Sequence, residues 1–270
     1  MYKLIALDMD GTLLNSEKVI SQENKDAIAK ARAAGVKVVL ASGRPLEGMQ
    51  SKLDELSIDG EDDFVLFYNG SMVQNVSTKE IIHSEISNGK AAKEIAALAE
   101  QLGGYIHAFS KIHGLITPEN NEYTGIEARI NCLDITEFDF SQLEDDHEII
   151  KTMIVAEPSK LTEIIGKLPQ EELKTQFTIV QSAPFFLEFL NPKSNKGVGI
   201  EAIAKHLGIK AEEVICMGDA ENDHHMLEYA GLGIAMENAM EETKKLADHI
   251  TASNDDHGVA VAIEKFIFNS

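Results

Sequence analysis

The chain has 270 residues, 44% of them apolar and 26% charged, a balance that excludes intrinsic disorder and allows one large domain or two modest ones. Its 24 Lys and Arg stand against 45 Asp and Glu, a net charge of −21 that argues against nucleic acid or an anionic membrane as partner. An anionic small molecule remains compatible if a metal and a few local cations reverse the field inside a site. No segment approaches the ~20 apolar residues that span a bilayer, and the run Met1–Leu7 is too short for a signal peptide. The expected location is cytoplasmic, which makes the Asn75-Val76-Ser77 sequon accidental. Cys132 and Cys216 lie far apart and are expected to be core thiols rather than a disulfide or zinc site.

In chain order, Leu4–Leu7 is a continuous apolar run, as in a strand buried on both faces. Ser21 can N-cap a helix through Ala34, with Gly35 as its stop. Strands are expected at Val36–Ala41 and Phe64–Tyr68, with a helix at Leu46–Leu56 between them. This alternation is the βαβ pattern of a parallel sheet. The middle differs in texture. Helices at Lys90–Leu102 and Pro158–Leu168 are mixed with strand-like runs at Tyr105–Phe109, Leu115–Thr117, Met153–Ala156, Phe177–Val180 and Phe186–Leu190. The acidic stretch Leu143–Glu148 is expected as a surface turn. Alternation then resumes with a helix at Gly197–Leu207, a strand at Val214–Met217, a helix at Glu221–Tyr229, and further short elements to Phe268. The expected fold is α/β: a Rossmann-like core of residues 1–84 and 191–270 with a parallel sheet, and an inserted α+β cap domain over 85–190.

Four patterns carry chemistry. Asp8-Met9-Asp10-Gly11-Thr12 ends the first strand, where ligands bind in open α/β sheets. Two carboxylates so close repel by about 4 kcal/mol at ~4 Å in an effective dielectric near ~20, which invites a cation. Ser42-Gly43-Arg44 ends the second strand and offers a hydroxyl, an unobstructed amide and a helix start, the makings of a phosphate cradle. Lys196 precedes one later helix, and Gly218-Asp219-Ala220-Glu221-Asn222-Asp223 follows a later strand. Alone, the last three read equally as an N-cap, a solvated lysine and acids at a helix N-terminus. Together they converge on one sheet edge.

That order of motifs resembles the haloacid-dehalogenase phosphatases, and more narrowly their Cof-type subgroup, whose cap is inserted after the second motif. The likeness runs the length of the chain and includes Tyr68-Asn69-Gly70, Ser182-Ala183-Pro184 and Asn195-Lys196-Gly197. It implies that Asp8 is a nucleophile forming an aspartyl-phosphate and that Asp10 is first acid and then base. It implies that Ser42, the amides of Gly43 and Met9, Lys196 and Asn222 hold the phosphoryl oxygens. It places Mg²⁺ between Asp8, the Asp10 backbone carbonyl and Asp219, with Asp223 orienting. Thr12, Arg44 and Asn69 are further candidates near the strand ends. A carboxylate approaches a phosphate dianion only if positive charge screens it, and Mg²⁺ with Lys196 would supply that.

The resemblance implies hydrolysis of a small phosphorylated metabolite, a sugar phosphate in the first instance, with a cap that moves over the core and reads the leaving group. A phosphomutase or phosphotransferase is the first alternative. Known mutases of the superfamily insert their cap between the first two motifs, and the stretch from Asp10 to Ser42 is too short for one. A phosphorylated receiver-like regulator is the second, but receivers are shorter and carry their acceptor after a later strand. Glu122, Tyr123 and Arg129 are polar candidates in the cap. His224 and His225 diverge by about 100° on a helix and suit packing better than one metal ion. Gly197-Val198-Gly199-Ile200-Glu201-Ala202 formally fits a dinucleotide fingerprint, but it follows Lys196 in a loop rather than a strand-to-helix turn, which makes the match one of chance. No stripe or patch in the sequence identifies a subunit interface.

Overall fold

The computed structural model describes residues 1–269. In chain order its strands and helices are β1 (Leu4–Asp8), α1 (Gln22–Ala33), β2 (Lys37–Ala41), α2 (Gln50–Glu55), β3 (Phe64–Phe67), β4 (Met72–Asn75), β5 (Ile81–Ser84), β6 (Ser87–Asn88), α3 (Gly89–Leu102), β7 (Tyr105–Ser110), β8 (Gly114–Thr117), α4 (Glu122–Asn131), β9 (Ile135–Glu137), β10 (Glu148–Val155), α5 (Pro158–Lys167), α6 (Gln170–Gln176), β11 (Thr178–Ala183), β12 (Phe186–Leu190), α7 (Lys196–Leu207), β13 (Val214–Gly218), α8 (His224–Tyr229), β14 (Leu232–Ala235), α9 (Glu241–Leu246), β15 (His249–Ile250) and α10 (Gly258–Ile263). The chain forms two units: residues 1–43, 49–84 and 195–270, and residues 44–48 with 85–194.

The first unit is built on an eight-stranded sheet in the order β15-β14-β13-β1-β2-β3-β4-β5. The strands from β15 to β3 are parallel, and β4 and β5 turn back antiparallel. All five residues of β1 are buried, as its unbroken apolar run requires. Ser21 caps α1 by accepting from the Asn24 amide. The β4–β5 hairpin was not legible, because Met72-Val73-Gln74-Asn75 is short and its turn hinges on one side chain. Asn75 Oδ1 accepts from the Ser77 and Thr78 amides, while its Nδ2 donates to the Glu61 carbonyl. The sequon asparagine is therefore buried and engaged in structure. The helix expected over Leu46–Leu56 is broken: Leu46–Gly48 is one 3₁₀ turn after Pro45, and α2 begins only at Gln50.

The second unit carries a sheet in the order β11-β12-β10-β7-β8-β9, with β6 on β10. Its core joins Ala92, Ile95 and Ala99 of α3 and Leu161 and Ile164 of α5 to Ile106, Ala108, Ile154, Leu187 and Phe189 of the sheet. By the period of two, His107, Lys151 and Glu188 point to the other face, where α4 brings Thr124 and Glu127. Strand β10 starts five residues earlier than expected, at Glu148 rather than Met153, because Lys151 and Thr152 interrupt the apolar run that marks a strand. Helix α4 and strand β9 were not anticipated. Cys132 is corrected from core to surface: it is exposed and left-handed (φ 55°) at the C-terminus of α4, whereas Cys216 is buried in β13.

Candidate active site

The carboxyl ends of β1, β2, β3 and β13 lie side by side in the first unit's sheet. Asp8 is the last residue of β1. Beyond it the chain coils back, with the Leu13 amide donating to the Asp8 carbonyl and the Leu14 amide to that of Met9. Gly11 sits in this turn at φ +89°, and a Cβ there would lie 2.4 Å from Asp219 Oδ2. Only glycine lets the two motifs approach so closely. Thr12 Oγ1 then donates to Asp219 Oδ1 at 3.0 Å.

Lys196 opens α7 and is fully buried. Its Nζ donates to Asp8 Oδ1 at 2.5 Å and to Asp223 Oδ1 at 2.6 Å. Asp223 is held from its other side, where Oδ2 accepts from the amides of Asp219 (2.9 Å) and Ala220 (3.1 Å). Both oxygens of Asp223 are thereby fixed in place. Helix α7 comes this near because Gly70, at φ +88°, has the Asn195 carbonyl oxygen 2.1 Å from where a Cβ would stand.

A second group of residues lines the ends of β2 and β3. The buried Ser42 accepts at its carbonyl from the Asn69 amide (2.9 Å), and its own amide donates to Leu66. Tyr68 and Asn69 are both left-handed (φ 51° and 55°), which turns the chain so that Asn69 Oδ1 accepts from Asn222 Nδ2 at 3.0 Å. Gly43 abuts the Asn69 amide group. The structure thus brings Asp8, Thr12, Lys196, Asp219 and Asp223 into one cluster, and Ser42, Gly43, Asn69 and Asn222 into its neighbour. Met9 is buried in the turn between Asp8 and Asp10.

Two expected residues lie differently. The Asp10 carboxylate is partly exposed and takes an ion pair with Lys18 at 2.9 Å. Arg44 belongs with the second unit, not the core; its Nη1 donates to Gly48, and its charge acts on Glu127. In α7, Gly197 and Gly199 serve packing, against the His225 carbonyl and Leu66, and not a dinucleotide. His224 bonds Thr243, as suits a packing residue. Sequence reasoning missed Lys18 and also missed the buried trio of Lys151, Glu127 and Glu188. The trio's one signal was a pair of opposite charges set in apolar runs, Lys151 after Ile149-Ile150 and Glu188 between Leu187 and Phe189.

Burial raises the Asp8 carboxyl well above the usual range; Lys196 opposes that shift, and Asp223 and Asp219 add to it. Asp219 is pushed up to about 6, first by burial and then by Asp223. For Lys196 burial works against the charged form, but Asp223 and Asp8 outweigh it and the ammonium is held protonated. When all three carboxyls are ionised, the cluster carries more negative charge than its one lysine balances, and that repulsion is what raises Asp8 and Asp219 beyond the effect of burial.

A hard divalent cation fits that imbalance. Asp8, Asp219 and Asp223 offer carboxylate oxygens within 4.8 Å of one another. Both Asp223 oxygens are already engaged by Lys196 and by backbone amides, which leaves Asp8 and Asp219 as the donors. An all-oxygen set suits Mg²⁺.

Comparison with known proteins agrees with this geometry. A family model described as haloacid dehalogenase-like hydrolase matches residues 5–263. The chain is 40% identical to the putative phosphatase YxeH of Bacillus subtilis over 99% of both chains. A haloacid dehalogenase-like hydrolase from Bacteroides thetaiotaomicron superposes with a TM-score of 0.86 at 34% identity, covering 99% of this chain and 100% of that one. The subclass IIB sugar phosphatase BT4131 gives 0.81 at 27% identity, over 98% of each chain. The motifs also resemble the sugar phosphatase YidA, but what these matches carry is the Cof-type group, with YxeH as a named relative. No described helix is long and apolar enough to cross a membrane. With its fold, its motif spacing and nearly its whole length matched, the chain belongs to the haloacid dehalogenase-like hydrolases.

Proposed function

We propose that this protein is a Mg²⁺-dependent phosphatase of small phosphorylated metabolites, sugar phosphates foremost, working through an aspartyl-phosphate on Asp8. The observation that carries the reading is the buried Asp8–Lys196–Asp223 chain beside Asp219 at the carboxyl edge of a parallel sheet. An Asp8 oxygen forms a bond to phosphorus while the bond from phosphorus to the leaving oxygen breaks. Asp10 gives that oxygen a proton. Asp10 then takes a proton from water, whose oxygen attacks the same phosphorus and frees Asp8 and inorganic phosphate. Lys196 holds Asp8 in place and neutralises phosphoryl charge; Ser42 and the amides of Met9 and Gly43 are the proposed cradle, with Asn222 fixed by Asn69. When bound by Asp8, Asp219 and the Asp10 carbonyl, Mg²⁺ supplies charge stabilisation for the transferring group. Several such contributions must act together, since the enzymatic acceleration of phosphate monoester hydrolysis reaches ~10²¹.

The sugar-phosphate preference is supported by the name of BT4131, a sugar phosphatase of the same architecture. The test is phosphate release from a panel of hexose, pentose, nucleotide and aryl phosphates, with Mg²⁺ and with chelator, for wild type and Asp8→Asn. Metal-dependent release lost in Asp8→Asn is expected, with hexose phosphates ranking first. No release from any member by the wild type with Mg²⁺ would overturn the hydrolase reading, and a nucleotide in first place would overturn the sugar preference.

A further inference from the structure

We infer that Lys18 is a positioning residue for Asp10, holding the carboxylate that the proposed mechanism uses as acid and base; the inference rests on that mechanism. Lys18 Nζ stands 2.9 Å from Asp10 Oδ1, and the two residues are eight positions apart on either side of a tight loop. The loop is built with care for a segment this exposed. Asn15 Oδ1 accepts from the amides of Glu17 (3.1 Å) and Val19 (3.0 Å), the Asn15 amide donates to the Val19 carbonyl, and the Lys18 amide donates to Asn15. From outside, Asp255 takes both the Ser16 amide (2.8 Å) and its hydroxyl (2.6 Å), and Asn254 Nδ2 donates to the Leu14 carbonyl at 2.9 Å.

Inside this frame Lys18 itself adopts φ 61°, a left-handed conformation that glycine or asparagine takes far more readily. The side chain ends on Asp10. An exposed ion pair contributes little to stability, so the gain is one of direction. A carboxylate tethered at one oxygen keeps the other in a defined place, and general acid catalysis is sensitive to such placement. Lys18 moves no proton of its own in this scheme. It holds the Asp10 carboxyl by Oδ1, so that Oδ2 carries the proton that the leaving oxygen takes.

Leaving-group dependence separates this role from a purely structural one. An alkoxide needs a proton from Asp10 as it departs, whereas p-nitrophenolate hardly does. The quantity to compare is kcat/KM, which ends at the first irreversible step and is blind to the later hydrolysis of the aspartyl-phosphate. Wild type, Lys18→Met, Lys18→Arg and Asp10→Asn would be measured on a hexose 6-phosphate and on p-nitrophenyl phosphate, with thermal unfolding as a check on folding. Lys18→Met is expected to lose about tenfold or more on the alkyl phosphate and about twofold or less on the aryl one, a share of the about 10²–10⁴ that general acid catalysis supplies. Lys18→Arg should recover most of the loss. Equal losses on both substrates, or no loss on either, would overturn the role of Lys18 while Asp10→Asn still discriminates between them. If Asp10→Asn itself shows no discrimination, the acid role falls, and the positioning role with it.

Discussion

The two units contain the same electrostatic device, a buried lysine between two carboxylates, and differ in how it is completed. In the first unit Lys196 lies 2.5 Å from Asp8 and 2.6 Å from Asp223, and Asp223 is locked by two backbone amides. In the second, Lys151 lies 3.1 Å from Glu188 and 3.8 Å from Glu127, across a strand pair and a helix. Burial raises the Glu127 carboxyl against the pull of Lys151, and Glu188 Oε2 has no hydrogen-bond partner among the described residues. The first network holds its two carboxyl groups at short distances from the lysine and fixes Asp223 through both oxygens. The second has slack, because its separations are longer and one of its carboxylate oxygens is left unpaired. A buried charge cluster is therefore not one thing: its use shows in how its outer oxygens are held.

Breaking the networks should expose that difference. Lys196→Met leaves Asp8, Asp219 and Asp223 facing one another, so we expect about 3–5 kcal/mol of lost stability by denaturant titration, together with loss of turnover. Lys151→Met should be milder, about 1–3 kcal/mol, since its ion-pair distances are longer and two carboxyls rather than three are left facing one another. Its companion double variant, Lys151→Met with Glu188→Leu, should recover most of that loss, because apolar replacements of a buried pair are often neutral or better. The corresponding pair in the first unit, Lys196→Met with Asp223→Leu, should not recover turnover. Equal costs for Lys196→Met and Lys151→Met would show the two networks to be energetically alike and remove the contrast.

A smaller effect comes from His107, which is buried beside Lys151 and pushed down to about 3, first by burial and then by the lysine charge. Its imidazole stays neutral in the folded chain, while in the unfolded chain it takes a proton below about pH 6.5. At this site the unfolded state thus binds more protons between those values, so the contribution of His107 to stability falls as the pH drops through that window, by up to about 1.4 kcal/mol per pH unit. The difference in unfolding free energy between wild type and His107→Gln, measured from pH 7 to pH 4, should carry this slope. A slope unchanged in His107→Gln would show that other groups set it. The smallest effect belongs to Cys132→Ser, expected within about 0.5 kcal/mol by thermal unfolding because the thiol is exposed. A larger loss would return Cys132 to the core.

Legibility in the sequence followed the range over which each feature is determined. Strands β1, β2, β3 and β13 were readable because strands buried on both faces must be continuous apolar runs, and a local window records that. The helices α1, α3, α5 and α7 were readable from spacing, caps and stops within the segment itself. Strand β10 was half hidden because a lysine sits in it, and that lysine is tolerable only through Glu188 and Glu127, which arrive 37 positions later and 24 earlier. Helix α4 was hidden for a related reason, since its buried residues are Thr124, Glu127 and Asn131 with Ala128 alone apolar, rather than an apolar stripe.

The candidate site divides in the same way. By itself the sequence determined that acids, a hydroxyl with glycine, a lysine and a second acidic loop end up at one edge of a parallel sheet, because chain direction in such a sheet leaves their strands no other end to stand at. Only the tertiary structure decided how they pair. Asp223 points to Lys196 and to its own loop rather than outward, Gly11 opens the space that Asp219 fills, Arg44 goes with the second unit, and Lys18 turns back onto Asp10. These are contacts between residues 8 to 208 positions apart, whose strength depends on angles and distances of a few tenths of an ångström. Such distances arise from the packing of whole elements, and no local pattern in the chain encodes them.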